Sequence, residues 1–281
     1  MNKDVVAGIV TYNPDIERLE NNIKSINQQV NGVYIIDNFS DNIEKIERLQ
    51  NIYKFTLIKN TDNKGIACAL NQLMNYAKEQ GAEWCVTLDQ DSVSPSNLVG
   101  EAEKLFECKD IGQIVPMIFE EKAKEYCYLG TPDNGETVQK VEKSITSASV
   151  NRVEAWSKCG KFDEMLFIDY VDYDFCMKLK MSNYKIYRLN TVILKHQIGD
   201  SFNVNILGYK IRVGNHSAFR KYYIGRNIII YTHRYKKELN CVKEYMRLIK
   251  VFMLIIFFEK DKMAKSKAFF RGIHDGKLNI T

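Results

Sequence analysis

The stretch GIACALNQLMNYAKEQGAEWCVTLDQDSV, residues 65–93, contains one complete helix-to-strand unit. Its first part has apolar residues at helical spacing and ends at Gly81, a residue type that often follows the last turn of a helix. Its second part, residues 83–89, is a short apolar run that predicts a buried strand. Two acids, Asp89 and Asp91, follow this strand at once.

Units of the same kind precede this stretch. Strands are predicted at residues 5–10, 33–37 and 54–60 with helices between them, and a fifth strand is predicted at residues 112–117. This alternation predicts an α/β fold whose mostly parallel sheet is covered by helices on both faces. The later expectations are a short helix near 152–157, a helix over 169–181, strands at 184–189 and 191–196, and two or three helices after residue 215.

The composition is that of a globular protein. The 281 residues are 45% hydrophobic and 27% charged, with a net charge of +5, which predicts one large domain or one domain with an appendage. Seven scattered cysteines without a CxxC pair indicate reduced thiols rather than a zinc site or disulfides. The N-terminus resembles no signal peptide, and the longest apolar-rich run, residues 248–258, is shorter than the roughly 20 residues of a spanning helix. We therefore expect a cytoplasmic protein.

The acids that follow the strand at 83–89 have two interpretations. Ligands of open parallel sheets bind beyond the carboxyl ends of the strands, which is where Asp89 and Asp91 lie. Two carboxylates on alternate residues can hold a divalent cation that bridges phosphate oxygens. Alternatively, Asp91 or Ser92 is the N-cap of the next helix.

Two further polar segments follow strands in the first half of the chain. Asp37 and Asn38 end the second strand, where an acid either hydrogen-bonds a ribose or base edge or forms an Asx or Ser turn. Asn63, Gly65 and Ala67 open a helix, whose free N–H groups favour an anion. The motif GxGxxG is absent, which counts against a dinucleotide-binding enzyme.

Acids are also crowded in FIDYVDYDFCMKL, residues 167–179. Asp169 and Asp172 are three residues apart and are predicted to share one face of a helix, with Asp174 beside them. A carboxylate here is a candidate general base, although acids are also favoured in any first helical turn by the helix dipole. His196 follows a later strand and is either a surface or core histidine or an additional ligand that suits Mn²⁺ better than Mg²⁺.

The order of these motifs resembles that of a known family. VAGIVTYN, IIDNFSDN, NKGIACALN, LDQDS, FIDYVDYDFCMKL and HQIGDS, spanning about residues 4–205, resemble family 2 glycosyltransferases of the GT-A fold. Within that family they are most similar to the bacterial rhamnosyltransferase branch. The resemblance implies a GT-A catalytic domain at residues 1–212, with a nucleotide-sugar half at about 1–117 and an acceptor half at about 118–212, followed by a helical region at 213–281.

The resemblance also implies roles for individual residues. The donor site it implies comprises Thr11, Asn13, Asp37, Asn38, Asn63, Gly65, Ala67, Asp89 and Gln90. The metal ligands would be Asp89, Asp91 and His196, and the acceptor side would include Trp156 and Asp174. Asp172 matches the catalytic base, but the Glu-Asp pair common in the family reads Val171–Asp172 here, which makes Asp169 a substitute candidate.

The activity implied is transfer of a sugar with inversion at the anomeric carbon, assisted by Mn²⁺ or Mg²⁺. The resemblance favours dTDP-L-rhamnose as donor and a lipid-linked saccharide as acceptor, in synthesis of a bacterial surface polysaccharide such as a capsule, O-antigen or cell-wall polymer. UDP-linked hexoses or galactofuranose are the alternative donors. No nucleic-acid partner is expected.

The C-terminal tail of the chain has a mixed apolar and basic character. Apolar and basic residues alternate over about 210–281, which predicts helices that lie on the inner face of the plasma membrane, form a homodimer contact or pack on the domain.

LDQDSV also resembles the nucleophile motif of haloacid-dehalogenase-type phosphatases, although that motif normally ends the first strand. A sugar nucleotidylyltransferase would need a Gly-rich loop where VTYNPD stands. A non-catalytic nucleotide-sugar-binding protein is the remaining alternative.

Overall fold

The chain folds as two compact units. The computed structural model describes residues 4–120, 125–127, 135–196, 202–206 and 209–279. The first unit comprises Met1–Met165 and Val171–His196, and the second comprises Leu166–Tyr170 and Gln197–Thr281. Five residues from the middle of the chain, 166–170, therefore belong to the C-terminal unit.

The first unit alternates strands and helices as expected. Its strands are β1 (Val5–Thr11), β2 (Gly32–Asp37), β3 (Thr56–Lys59), β4 (Trp84–Asp89), β5 (Ile111–Glu120), β6 (Glu125–Cys127), β7 (Val138–Val141), β8 (Ser149–Arg152) and β9 (Lys185–His196). Its helices are α1 (Ile16–Asn27), α2 (Ile43–Ile52), α3 (Gly65–Glu79), α4 (Leu98–Glu103), α5 (Val153–Lys158) and α6 (Val171–Met181).

These strands form one sheet in the order β3-β2-β1-β4-β8-β5-β9-β7, with β6 paired to β5. The pairings β3-β2, β2-β1, β1-β4 and β5-β9 are parallel, whereas β8 is antiparallel to β4 and β5. Six strands thus run one way, and β6, β7 and β8 run the other. The expected mostly parallel α/β sheet is confirmed.

Buried apolar residues explain why the helices cover this sheet. All seven residues of β1 are buried, as are Leu19, Ile23 and Ile26 on one face of α1. Helix α3 lies close to β1 because Gly8 has no side chain: a Cβ atom there would be 2.6 Å from the Leu73 side chain. The sheet is therefore built around a continuous apolar interior, as the apolar runs predict.

Two local expectations need correction. The segments at 184–189 and 191–196 are one strand, β9, in which the pairing shifts from Pro116–Leu189 to Met117–Ile193. An irregularity at residues 190–192 absorbs the extra residues, so the polar Asn190 does not end the strand. Helix α6 begins at Val171 and not at 169, because Asp169 and Tyr170 have left-handed backbones with φ of 63° and 69°.

The second unit contains a hairpin and three helices. Strands β10 (Phe202–Ile206) and β11 (Tyr209–Val213) are antiparallel, and helices α7 (Ala218–Arg234), α8 (Cys241–Phe258) and α9 (Lys262–Leu278) follow. Helices α7 and α9 approach backbone to backbone: a Cβ atom on Gly272 would lie 2.0 Å from the Tyr222 carbonyl oxygen, and one on Gly276 would lie 2.7 Å from that of Arg226. Among the described helices, none is long and apolar enough to cross a membrane.

A buried ion cluster ties these three helices together. The Glu259 carboxylate, at the C-terminal end of α8, lies 2.5 Å from the Lys221 ammonium of α7 and 3.1 Å from the Lys265 ammonium of α9. All three side chains are at most 5% exposed. Burial lowers the pKa of Lys221, and the carboxylate opposes this effect. One carboxylate thus compensates two buried cations.

Candidate active site

The carboxyl ends of β1, β2 and β4 lie side by side. Thr11 pairs with Asp37 across β1 and β2, and Val10 pairs with Asp89 across β1 and β4. The loops that follow these strands carry most of the expected donor-site residues, so the sheet brings them to a single edge. This edge is where ligands of open parallel sheets bind.

The Asp37 carboxylate connects the end of β1 to the loop that follows β2. Its carboxylate accepts hydrogen bonds from the Thr11 hydroxyl at 2.9 Å and from both the backbone N–H (2.8 Å) and the hydroxyl (2.5 Å) of Ser40. Thr11 and Asp37 are 0% and 1% exposed. Of the two turn types expected here, the structure has the Asx type, because the Asp37 side chain accepts from the Ser40 backbone N–H. Thr11 and Asp37 thus support the loops after β1 and β2.

Asn13 and Asn38 extend the support to neighbouring loops. The Asn13 backbone N–H donates to the Ser40 hydroxyl at 2.8 Å, and the Asn13 side chain accepts from the Asp41 backbone N–H at 2.7 Å. The buried Asn38 amide donates to the Gly65 carbonyl and accepts from the Lys64 backbone N–H. The loop before α3 is thus fastened to the end of β2.

Asn63, Gly65 and Ala67 shape the start of α3. The Asn63 side chain accepts from the Gly65 backbone N–H at 3.0 Å, and Gly65 has φ of 81°, which favours glycine. Ala67 is fully buried. The turn before α3 is therefore stabilised locally, and Gly65 and Ala67 are buried at the start of the helix.

Asp89 and Asp91 lie on a tight turn at the end of β4. The Ser92 backbone N–H donates to the Asp89 carbonyl at 3.1 Å, and the Asn22 side chain donates to the same oxygen at 2.8 Å. The next helix, α4, has Asn97 as its N-cap, so the alternative that Asp91 or Ser92 caps it is wrong. Asp89 is half-buried and Asp91 is exposed.

Gln90, between the two acids, connects this turn to β1. Its side-chain oxygen accepts a hydrogen bond from the Tyr12 backbone N–H at 2.8 Å. This bond joins the turn after β4 to the end of β1. Gln90 therefore stabilises the turn.

Residues 144–147, of which Ser144 and Ser147 are buried, hydrogen-bond to β4 and to the turn that follows it. The Ser147 hydroxyl donates to the Ser92 hydroxyl at 2.6 Å, and the Thr87 hydroxyl donates to the Thr146 carbonyl at 2.6 Å. Ser92, Ser147 and Thr87 are at most 1% exposed. Buried hydroxyls that satisfy one another specify a single arrangement, so this segment holds the turn in place.

The same segment reaches α6. The Ser144 hydroxyl donates to Gln113 at 2.5 Å and lies 3.2 Å from the Cys176 sulfur of α6, while Gln113 donates to Asn151 at 2.9 Å. Burial raises the pKa of Cys176 to about 12, so its thiol is neutral at physiological pH. A continuous set of buried polar groups therefore links the turn after β4 to the helix that carries Asp172.

Asp172 and Asp174 have different surroundings on α6. Asp172 is half-buried, and one of its carboxylate oxygens accepts the Tyr173 backbone N–H at 2.9 Å. Asp174 is 0% exposed and pairs with Lys178 at 3.0 Å. Asp174 is thus a buried ion-pair partner, which corrects the acceptor contact expected for it.

Trp156 is also an interior residue. It is 0% exposed, and its indole N–H donates to the Asn71 side chain at 3.0 Å. Asn71 in turn donates to the Phe162 carbonyl and to Glu164. Trp156 therefore anchors α5 to α3, in place of the acceptor contact expected from the resemblance.

Asp169 belongs to the second unit and is paired there. The Arg220 guanidinium donates to both of its carboxylate oxygens, at 2.6 and 3.2 Å. Phe167, Asp169 and Tyr170 all have left-handed backbones, a conformation that is costly for non-glycine residues and concentrates at functional sites. Asp169 and Asp172 do not share a helix face, because Asp169 precedes the helix.

Asn227 of α7 supports this unusual backbone. Its side-chain nitrogen lies 2.8 Å from the carbonyl oxygens of Leu166, Ile168 and Asp169. The Tyr170 hydroxyl accepts from Arg247 at 2.7 Å, and the Phe167 ring stacks on Tyr223 with centroids 4.9 Å apart. The segment that precedes α6 is therefore held by side chains of the C-terminal helices.

Two of the three expected metal ligands, Asp89 and Asp91, have the chemistry that suits a hard divalent cation. Asp89 and Asp91 supply carboxylate oxygens, the ligand type preferred by Mg²⁺ and Mn²⁺, from an otherwise hydrogen-bonded turn. Within the described residues, no three His, Cys, Asp or Glu side chains form a metal cluster. The backbone of His196 ends β9, and its side chain lies outside the described part; residues 197–201 of the motif HQIGDS do too.

Sequence reasoning missed the supporting amides Asn71, Asn151 and Asn227. Each is at most 5% exposed and hydrogen-bonds to groups more than 50 residues away in sequence. A signal was present at Asn227, because RNIIIY places an amide beside an apolar run of a helix. A buried amide in such a position requires partners.

Two comparisons of the sequence agree with each other. The model of the family described as glycosyl transferase family 2 matches residues 7–187. The whole chain is 30% identical, over 297 aligned residues, to the dTDP-rhamnosyl transferase RfbF of Shigella flexneri and covers 98% of that protein.

Solved structures show the same fold. The chain aligns with S. aureus TarS 1–349 in complex with UDP-GlcNAc at a TM-score of 0.60 and 14% identity, covering 99% of this chain and 82% of that one. It aligns with GalNAc-T7, solved with UDP, GalNAc and Mn²⁺, at a TM-score of 0.56 and 14% identity, covering 73% of this chain and 44% of that one. These likenesses identify a GT-A architecture.

Proposed function

Because the chain belongs to glycosyltransferase family 2, we propose that it transfers L-rhamnose from dTDP-L-rhamnose to a hydroxyl of a saccharide acceptor. The observation that carries the choice of donor is the similarity to a dTDP-rhamnosyl transferase along the entire chain. The phosphatase and non-catalytic alternatives are set aside, because β4 is preceded by three other strands and the family is one of sugar transferases.

The donor would lie on the edge formed by the loops after β1, β2 and β4. Asn13 and the small-residue turn at Asn63 and Gly65 are the residues we assign to its nucleotide and sugar, with Thr11, Asp37 and Asn38 as supports. Asp89 and Asp91, with His196 as a third ligand, would hold a divalent cation that stabilises the negative charge of the departing diphosphate. The turn is presented by Gln90 and by the buried hydroxyls beneath it.

The acceptor hydroxyl would be activated by Asp172. Its carboxylate takes the hydroxyl proton while the acceptor oxygen bonds to the anomeric carbon and the bond from that carbon to the diphosphate oxygen breaks. One displacement from the opposite face inverts the anomeric configuration. We assign Asp169 a positioning role, because its carboxylate is occupied by Arg220.

The acceptor we propose is a lipid-linked saccharide at the inner face of the plasma membrane, in synthesis of a surface polysaccharide. The basic and apolar C-terminal helices support this assignment, since anionic lipid attracts such surfaces. The metal we propose is Mn²⁺ or Mg²⁺.

The test is a comparison of donors. Purified protein with Mn²⁺ or Mg²⁺ is screened by thermal shift against dTDP, UDP and their sugar conjugates, because only a ligand that prefers the folded state raises its stability. We expect stabilisation by dTDP-L-rhamnose and rhamnose transfer to a lipid-linked acceptor, with the linkage determined by NMR. Equal stabilisation by dTDP and UDP, or transfer only from a UDP-sugar, would overturn the proposed donor.

A further inference from the structure

Helix α8 carries a line of large apolar side chains that face solvent. They recur at helical spacing and are between 46% and 72% exposed: Val242, Tyr245, Met246, Ile249, Met253 and Phe257. The opposite side of the helix is buried through Glu244 and Ile255. We call the six exposed residues the α8 stripe. A periodic apolar stripe on the outer side of a surface helix marks an interaction site.

The exposed charges of the segment that carries the stripe are mostly positive. Lys243 and Lys250 are exposed on the same helix beside it, and the only acid of α8, Glu244, is 4% exposed. Among the described residues 234–279, the exposed charged side chains include two acids, Glu238 and Asp261. The exposed basic ones are ten: Arg234, Lys236, Lys237, Lys243, Lys250, Lys260, Lys262, Lys267, Arg271 and Lys277. The helical segment that carries the stripe therefore exposes many more basic than acidic side chains.

The apolar stripe and its basic neighbours together indicate which partner binds there. A second copy of the chain placed on the stripe would bring lysines of α8 toward lysines of α8, with no exposed carboxylate on that helix to meet them. An anionic lipid surface supplies both an apolar layer for the stripe and phosphate groups for the lysines, whose long stems let the charge reach the headgroups. Charge complementarity therefore favours lipid.

We infer that the protein docks on anionic membrane through the α8 stripe, with α8 lying in the plane of the interface and Lys243 and Lys250 at the headgroup level. The inference deepens the proposed function, on which it rests for the lipid-linked acceptor. Phe270 of α9, whose ring lies 4.9 Å from that of Phe252, adds an exposed aromatic group near the helix.

The experiment is flotation of the full chain with vesicles. Phosphatidylcholine vesicles with and without phosphatidylglycerol are compared for the wild type, for Ile249→Gln with Met253→Gln, and for Lys243→Gln with Lys250→Gln. The matched control is Ile52→Gln with Met181→Gln, which changes two apolar side chains of the first unit that are 67% and 58% exposed. Sedimentation velocity without lipid reports the oligomeric state.

We expect the wild type and the control to bind phosphatidylglycerol vesicles alike. Both α8 variants should bind these vesicles at least about tenfold more weakly. Binding of the wild type should fall with added salt, because the headgroup contacts are screened. Equal binding by the stripe variant and the wild type would overturn the inference. So would a wild-type dimer that binds no vesicles and becomes monomeric in the stripe variant.

Failure of the proposed donor is separable from failure of the docking surface. Rhamnose transfer to a soluble acceptor is measured without vesicles, and we expect the stripe variant to retain it. Vesicle binding that depends on the stripe, in a protein without rhamnose transfer, would support the docking surface and overturn the donor. Transfer without stripe-dependent binding would do the reverse.

Discussion

The Arg220 guanidinium donates to both carboxylate oxygens of Asp169, at 2.6 and 3.2 Å, three residues before the candidate base Asp172. The two-point contact engages both oxygens of Asp169, and we assign proton transfer to Asp172. Asp169 and Tyr170 also have left-handed φ angles, a backbone conformation that costs free energy for non-glycine residues. The charge-assisted hydrogen bonds from Arg220 offset part of this cost.

The two acids should therefore respond differently to the same substitution. Asp172→Asn should lower kcat by about 10²- to 10⁴-fold, because the acceptor hydroxyl loses its proton acceptor. Asp169→Asn keeps an oxygen that can accept from Arg220 and should lower kcat by less than about tenfold. The measurement is kcat against pH for both variants, and the acidic limb of the profile should persist in Asp169→Asn. Equal losses would contradict the assignment of the base.

Substitution of Asn227 should destabilise the second unit. Its two amide hydrogens serve three carbonyl oxygens within 2.8 Å, and the side chain is 0% exposed. Asn227→Leu would leave these carbonyls without that donor, and we expect the free energy of unfolding in urea to fall by about 3 kcal/mol. Asn51→Leu, at an exposed position of α2, is the control and should change it by less than about 0.5 kcal/mol.

The buried carboxylate of Glu259 should contribute far more to the free energy of unfolding than an exposed carboxylate does. Glu259→Gln leaves Lys221 and Lys265 buried without a counter-charge, and we expect a loss of about 3 kcal/mol in unfolding free energy. Glu47→Gln breaks an exposed pair with Lys59 and should cost at most about 1 kcal/mol. Similar losses of unfolding free energy in both variants would contradict this prediction, because they would show that the buried ion cluster contributes no more than an exposed pair.

Stability should fall between pH 7 and pH 5 partly because of His216. Burial, with the nearby Arg220 charge, lowers the pKa of His216 from 6.5 to about 4. Between these values the unfolded chain binds a proton that the folded one does not, so acid favours unfolding, by about 2 kcal/mol at pH 5. Removing the imidazole in His216→Gln should reduce the pH dependence by that amount, measured as the free energy of unfolding in urea at pH 7 and pH 5.

Removal of divalent metal should abolish transfer and weaken donor binding. Treatment with EDTA should remove the thermal stabilisation by dTDP-L-rhamnose, and Mn²⁺ or Mg²⁺ should restore it. Asp91→Asn should raise the metal concentration for half-maximal stabilisation by about tenfold or more. Asp110→Asn, at the opposite end of the parallel strands, is the control. Full activity in EDTA would contradict the metal assignment.

The sequence predicted the sheet and its functional edge because both depend on local patterns. Apolar runs located β1, β2, β4 and β5, and the acids after β4 were expected at a strand end. The supports were not predictable in the same way, since Asn227 meets its carbonyl partners about 60 residues away. The same holds for Trp156 and Asp174, whose burial depends on packing against other elements.

Exchange of parts between relatives has a constraint in this fold. Residues 166–170 lie in the middle of the chain but belong to the C-terminal unit, and the chain returns from them directly into α6. A fragment that ends at residue 213 keeps every strand of the large sheet and loses Asn227, Arg220 and Arg247 together. A chimera that takes its C-terminal helices from a relative should therefore also take residues 166–170 from that relative. The exchanged part then consists of two separate segments of the chain.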